Sequence, residues 1–120
     1  MAYDSGNIFA RILRGEIPCK KVYEDDFALA FYDINPKTPV HILLVPKGPY
    51  ATYHDFMSSA DDAEIVGFDR AVATVIAQSG IAAEGYRLIS NAGPNAHQEV
   101  PHYHVHILGG RDLGASLLKG

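Results

Sequence analysis

The segment His102-Tyr103-His104-Val105-His106-Ile107-Leu108 places three of the chain's six histidines at every second residue. Its β-branched and large apolar residues favour a strand over a helix. Side chains alternate between the two faces of a strand, so His102, His104 and His106 are predicted to share one face. Rings two residues apart lie roughly 6.6 Å from each other, at about 3.3 Å per residue. That spacing suits one small anionic group or one metal ion contacted by several imidazoles.

Four other segments have the apolar alternation or the apolar run that predicts a strand. They are Lys20 to Glu24, Phe27 to Asp33, Val40 to Pro46 and Tyr86 to Asn91. On the histidine strand itself, Tyr103, Val105 and Ile107 point away from the histidines and can close a core.

Two segments predict helices. The first is short, from Ile8 to Arg14, with Asn7 as its N-cap and Gly15 as its stop. The second is long, with Ser59 as its N-cap and an apolar stripe that ends at Gly80. The stretch from Gly48 to Tyr53 is predicted to be irregular. This order predicts an α+β domain with a five-stranded, mostly antiparallel sheet, and helices on one side that leave the other surface for a ligand or partner.

Chain length, net charge and cysteine count restrict the class of protein. A chain of 120 residues predicts a single domain over residues 1–120. The net charge of -4 argues against a broad electrostatic surface for nucleic acid. Cys19 is the only cysteine, which excludes an intrachain disulfide and fits a reducing compartment. With no signal-peptide core and no apolar run of membrane-spanning length, the sequence predicts a cytoplasmic protein without a membrane partner.

The histidine cluster indicates chemistry. Imidazole acts as a nucleophile, a general acid or base, or a metal ligand near neutral pH. Three rings side by side are costly to bury for packing alone, because each has two ring nitrogens to satisfy. His41 interrupts an otherwise apolar strand and is a fourth candidate, although a half-buried strand histidine is the plain alternative. A solvated residue is the preferred interpretation of His54.

Polar residues near the histidines have two interpretations. Asp33 ends its strand before an Asn-Pro loop, where it either forms a turn or accepts hydrogen bonds from sugar hydroxyls. Asn91, Gly93, Gln98 and Glu99 lie in the loop that leads to the histidines. Such a loop can direct backbone N–H groups at a phosphate, though turn formation alone also explains Asn and Gly.

Residues 98–111, Gln-Glu-Val-Pro-His-Tyr-His-Val-His-Ile-Leu-Gly-Gly-Arg, resemble the signature of the histidine triad (HIT) family. The Gly-Gly-Arg end is similar to the HINT branch, the nucleoside phosphoramidases. The likeness covers nearly the whole chain, including Gly15-Glu16-Ile17-Pro18, Phe31-Tyr32-Asp33-Ile34 and Pro39 to Pro46. The sequence departs from much of the family at Ala96 and His97, where a glycine pair is common, at Pro101, and at Glu99, where some members have a serine.

The resemblance implies a role for each matching residue. His104 would be the nucleophile that attacks the α-phosphorus of a nucleotide. The backbone carbonyl of His102 would orient it, His106 would contact the phosphate and leaving group, and His41 would support the triad by a hydrogen bond. The nucleotide-binding residues implied are Asp33 for the ribose, Ile34 and Phe31 for the base, and Asn91, Gln98, Glu99 and Val100 for phosphate and sugar.

The function implied is hydrolysis of a purine nucleoside 5'-phosphoramidate to the nucleoside monophosphate, through a covalent nucleotidyl-histidine and without cofactor or metal. A homodimer is also implied, in which two sheets join into one of ten strands. Three alternatives stay open: a dinucleoside polyphosphate as substrate, a nucleotide-binding module with little turnover, and a zinc site made by the histidines.

Overall fold

The structure is a computed structural model and describes residues 2–116. Its helices are α1 (Ile8–Leu13), α2 (Tyr53–Ser59) and α3 (Asp62–Gln78), with one 3₁₀ turn at Pro94–Ala96. Its strands are β1 (Lys21–Glu24), β2 (Ala28–Tyr32), β3 (Val40–Pro46), β4 (Tyr86–Ile89) and β5 (Val105–Gly109). None of the helices within residues 2–116 is long and apolar enough to cross a bilayer.

The five strands form one sheet in the order β1-β2-β3-β5-β4, and every neighbouring pair is antiparallel. This confirms the predicted α+β class and the strand number. The apolar run of β3 takes the central position, where every residue from His41 to Pro46 is buried. Across the β3–β5 ladder, His41 is opposite Leu108 and Leu43 is opposite His106. His41 and His106 therefore lie on adjacent strands, two residues apart in the register of the ladder.

The histidine strand begins later than predicted. β5 starts at Val105, because its ladder with β3 ends at the pair Leu44 and Val105. The stretch before it bonds to a loop instead, with the Tyr103 N–H donating to the Tyr50 carbonyl at 2.7 Å. Side chains nevertheless still alternate between the two faces of the sheet through residues 102–104. Tyr103 joins Val105 and Ile107 in the main core, while His102 and His104 both contact the ring of Phe9 on the other side.

The main core lies between the sheet and the helices α2 and α3. Its largest fully buried side chains include Phe56, Phe68, Ile42 and Ile107. The predicted N-cap Ser59 is wrong, because Ser59 is the last residue of α2. Asp61 caps α3 instead, and forms a capping box in which its side chain accepts from the Glu64 N–H at 2.8 Å.

Helix α1 covers part of the opposite face, so the expectation that all helices lie on one side is wrong. Phe9 packs there with Leu29, Phe31, Leu43 and Val45 in a second cluster. The predicted N-cap Asn7 is confirmed, because its side chain accepts from the Ala10 N–H at 2.9 Å. Gly15 follows the helix at φ 80°, a left-handed conformation that suits glycine. The second cluster borders the surface that carries the histidines.

Candidate active site

A cavity of about 330 Å³ opens on the histidine face of the sheet. Eight of the predicted site residues line it: Asp33, His41, Asn91, Gln98, Glu99, Val100, His104 and His106. Six residues that were not predicted complete the lining: Phe9, Lys37, Leu43, Ile89, His97 and Leu108. The structure therefore brings residues from three strands, two loops and helix α1 into one concave site.

His104 presents an unprotonated nitrogen to this cavity. Its Nδ1–H donates to the backbone carbonyl of His102 at 2.7 Å, so in the neutral ring Nε2 has the free lone pair. The ring of Phe9 packs edge-on against it, with centroids 4.9 Å apart. Burial lowers the pKa of His104 from its usual value, which keeps the lone pair available near neutral pH.

His102 is behind the cavity and does not line it. It is 1% exposed, and its Nε2–H donates to the Pro46 carbonyl at 2.9 Å. Its Nδ1 accepts from the hydroxyl of Tyr3, a residue that the sequence analysis missed. Burial lowers the pKa of His102 to about 4, so the ring is neutral. The backbone carbonyl of His102 fixes the orientation of the His104 ring.

His41 and His106 form a directed pair. The backbone N–H of Lys37 donates to Nδ1 of His41 at 3.0 Å, which leaves the proton of this neutral ring on Nε2. That Nε2–H donates to Nδ1 of His106 at 2.9 Å. The proton of His106 is therefore on its Nε2. Burial, followed by the nearby His104 and His41, lowers the pKa of His106 to about 4.

Asp33 lies next to this pair. Its Oδ2 is 3.4 Å from Nε2 of His41, and its Oδ1 accepts from the Asn35 N–H at 2.7 Å. Burial lowers the pKa of His41 in spite of the opposing effect of Asp33. The contact is therefore an electrostatic approach of a carboxylate to a neutral ring, whose Nε2–H is directed at His106. One carboxylate oxygen also forms a turn, as the simpler interpretation of Asp33 expected.

Gln98 organises the loop before the histidines. Its Oε1 accepts from the Gly93 N–H at 3.0 Å, and its Nε2 donates to the carbonyls of Ala51 and Val100 at 2.8 and 3.0 Å. The side chain is thus committed to holding the loop. His97 in the same loop has a left-handed backbone at φ 56°, which is uncommon for a residue with a side chain.

Two predicted base-binding residues do not line the cavity. Phe31 is buried in the second cluster, where its ring packs against Phe9 with centroids 5.6 Å apart. Ile34 is 90% exposed. Phe9, which does line the cavity, was not predicted as a site residue because its place in the short helix indicated only a buried stripe.

The group Asp33, His41 and His106 could offer three ligand atoms that lie within 4.8 Å of one another. Zinc at about 2.0–2.1 Å from each nitrogen would fit such a spacing. A neutral imidazole has a single lone pair, however, and that of His41 already accepts from the Lys37 N–H. His41 would have to give up this hydrogen bond to ligate a metal through Nε2. As arranged, the three residues fit a hydrogen-bonded relay better than a metal site.

Comparison with known proteins agrees with this geometry. The HIT domain family matches residues 14–113. A HIT-like protein of Azospirillum brasilense is 57% identical over 118 residues, which are 98% of this chain and 97% of that protein. The purine nucleoside phosphoramidase of Escherichia coli strain K12 is 48% identical and covers 92% of each chain.

Two further comparisons bear on the fold and on metals. A 14 kDa zinc-binding protein of Zea mays is 44% identical over 92% of this chain and 86% of its own. The crystal structure of a HIT family hydrolase from Legionella pneumophila superposes with a TM-score of 0.82 at 37% identity, over 89% of this chain and 95% of that one. The predicted resemblance to the histidine triad family is thereby confirmed.

Proposed function

The chain belongs to the HIT domain family, and from that premise we propose that it hydrolyses purine nucleoside 5'-phosphoramidates to nucleoside monophosphates. The single observation that carries this proposal is the 2.7 Å hydrogen bond from His104 Nδ1–H to the His102 carbonyl, which leaves Nε2 free to attack. The phosphoramidase of Escherichia coli supports the choice of the phosphorus–nitrogen bond.

The reaction proceeds in two displacements. Nε2 of His104 attacks the α-phosphorus, a P–Nε2 bond forms, and the bond from phosphorus to the leaving amine breaks. The resulting nucleotidyl-histidine is then attacked by water, which releases the nucleoside monophosphate and restores the ring. The attacking water gives one proton to His106, which replaces the proton that His106 gave to the departing amine.

His106 supplies the proton for the leaving amine. Its Nε2 carries a hydrogen in the free protein, because Nδ1 accepts from His41. An anionic phosphate bound beside the ring raises the pKa of His106 from its low value in the free site, since opposite charge favours the imidazolium. Nδ1 of His106 takes up a proton as the phosphate binds, and the Nε2–H of His41 then turns from Nδ1 to Oδ2 of Asp33, which lies 3.4 Å away. The resulting imidazolium protonates the amine from Nε2 as the bond to phosphorus breaks.

The remaining cavity residues bind the nucleotide. Asp33 retains a free lone pair on Oδ2 for ribose hydroxyls, and Asn91 with the backbone of Glu99 and Val100 meets the phosphate oxygens. Phe9 and Leu43 give the cavity an apolar wall for a purine base. Phe31 supports Phe9 from behind, and exposed Ile34 lies next to Asp33, where it can contact a bound base.

The proposed assembly is a cytoplasmic homodimer. Strand β4 is at the edge of the sheet, and its residues Tyr86 and Leu88 are 44% and 47% exposed. Pairing of two β4 strands would make a ten-stranded sheet and bring these exposed side chains into cross-strand contact with those of the partner strand. Sedimentation equilibrium tests this arrangement, and a mass of one chain at micromolar concentration would contradict it.

A hydrolysis panel without added metal tests the activity. Adenosine and guanosine phosphoramidates are compared with dinucleoside polyphosphates, using the wild type, His104→Ala and the exposed control His54→Ala. We expect the phosphoramidates to turn over fastest, His104→Ala to bind AMP without turnover, and His54→Ala to match the wild type. If His104→Ala retains most of the wild-type rate, the nucleophile is another group. Tight AMP binding by the wild type with no turnover would indicate a binding module.

Zinc is the second candidate, suggested by the name of the maize relative. The group of Asp33, His41 and His106 has the spacing for a metal, but His41 would first have to release the Lys37 N–H. Metal analysis of the purified protein distinguishes the two. Stoichiometric zinc whose removal by a chelator abolishes activity would support the zinc site. Full activity after chelation would support the reaction without metal.

A further inference from the structure

A chain of hydrogen bonds connects the N-terminal segment to the triad. Oδ1 of Asn7 accepts from the Ala10 N–H, so the amide NH₂ of Asn7 is the group that faces Tyr3 and donates to its hydroxyl oxygen at 2.9 Å. At the other end, Nε2–H of His102 donates to the Pro46 carbonyl. The Tyr3 hydroxyl lies 2.5 Å from Nδ1 of His102. Because both ends are fixed, the Tyr3 hydrogen points at Nδ1.

We propose that Tyr3 is a positioning residue for the reaction at His104. Its hydroxyl holds His102 as the neutral Nε2–H tautomer, anchored at both ring nitrogens, and so fixes the carbonyl that orients His104. This inference rests on the proposed function. Tyr3 itself does not line the cavity and acts through His102.

Burial makes this hydroxyl necessary. His102 is 1% exposed, so water cannot easily replace a lost donor at Nδ1. A buried acceptor without a partner is costly, and within residues 2–116 every buried side-chain nitrogen or oxygen has a partner. Without Tyr3, the ring of His102 must rotate or take up a proton. Rotation breaks the Nε2–H bond to the Pro46 carbonyl and so loosens the main chain that carries the His102 carbonyl. Protonation places a positive charge two residues from the nucleophile.

Few other groups act on the ring of His102. The Pro46 carbonyl faces it from the end of β3, and His104 faces it from its own segment. The ring of Phe9 from α1 packs edge-on at 6.4 Å and carries no charge. The Tyr3 hydroxyl therefore decides whether Nδ1 remains a neutral acceptor, and its removal raises the pKa of His102.

Tyr3→Phe tests the proposal, because it keeps the edge-on ring contact with His102 and removes only the hydroxyl. We expect kcat to fall about tenfold with little change in KM, and the acidic limb of the kcat profile to move to higher pH. Tyr23→Phe is the matched control, since it removes a phenol hydroxyl that bonds Asp25 away from the site. It should leave both kcat and the profile unchanged.

A second variant redirects the same hydrogen without changing Tyr3. Asn7→Asp keeps an N-cap acceptor for α1 but replaces the amide donor by a carboxylate, which attracts the Tyr3 hydrogen away from His102. We expect it to lower kcat in the same direction as Tyr3→Phe. This variant keeps the test decisive if Tyr3→Phe folds poorly.

Nitrogen-15 NMR of the histidine rings gives a readout that needs no turnover. In the wild type, His102 should show a protonated Nε2 and an Nδ1 that accepts a hydrogen bond, and in Tyr3→Phe the ring should titrate at higher pH. Unchanged His102 resonances, titration and kcat profile in Tyr3→Phe would overturn the proposal. If the wild type fails to hydrolyse phosphoramidates, the proposed function fails, and the ring spectra still decide the role of Tyr3.

Discussion

The rings of His41 and His106 meet across two adjacent strands, with Nε2 of one 2.9 Å from Nδ1 of the other. The Lys37 N–H occupies the remaining nitrogen of His41, so the proton between the two rings belongs to His41. A main-chain donor on a loop thereby determines which nitrogen of His106 bears the hydrogen.

Removing the donor from His41 should impair the acid role of His106. His41→Leu is expected to lower kcat for phosphoramidate about tenfold or more, because Nδ1 of His106 loses its partner. His41→Gln retains an N–H donor and should lose less. Steady-state kinetics of both variants check the prediction, with thermal melting to confirm folding. Equal losses in the two variants would contradict the hydrogen-bond argument.

Folding stability should fall on acidification. The pKa values of His102 and His106 are about 4 in the folded chain, below the unfolded value of 6.5. Between these values the unfolded chain binds more protons, so the free energy of unfolding decreases as pH falls from about 6.5 to about 4. The slope is up to about 1.4 kcal/mol per pH unit for each ring. Urea denaturation across this range measures it, and a flat profile would show that both rings titrate normally.

The capping box of α3 should contribute to stability without affecting catalysis. Asp61→Ala removes the acceptor for the Glu64 N–H and should cost about 1 kcal/mol in the free energy of unfolding. Asp62→Ala is the control, because Asp62 is a first-turn acid without the cap contact and should cost a few tenths of that. Urea denaturation compares the two, and kcat should be unchanged in both.

The ring of Phe9 should stabilise the folded chain by packing α1 against the histidine His104. Phe9→Leu loses the edge-on contacts with His104 and Phe31, and is expected to lower the free energy of unfolding by about 1.5 kcal/mol. Denaturant unfolding measures this loss. Phe27→Leu provides a comparison in a half-buried phenylalanine outside the second cluster. A loss no greater for Phe9→Leu than for Phe27→Leu would contradict the packing argument.

Local sequence signals predicted much of the fold. The alternation of side chains along a strand correctly predicted that the three histidines share one face and that Tyr103, Val105 and Ile107 share the other. The N-cap at Asn7 was also predicted correctly, because a helix cap likewise depends only on residues that are near in sequence. The apolar run around His41 correctly indicated a central strand.

The errors have two physical origins. Some contacts join residues that are distant in sequence, and one helix is too short to show a periodic apolar pattern. Helix α2 buries only Phe56, so no stripe marks it, and Ser59 was taken for the start of the next helix. Tyr3 bonds a residue 99 positions away, and nothing in its surroundings indicates this. The strand start at Val105 depends on where β3 stops pairing.

At Lys37, two functions of one residue are physically separate. Its main-chain N–H orders the histidine pair, whereas its side chain takes no part in that bond and donates to the Asn35 carbonyl at the rim of the cavity that the residue lines. Any residue except proline supplies the same N–H, so position 37 can diversify during evolution or in a mutant library without disturbing proton placement. Substrate preference can therefore drift at this position while the chemical step is preserved.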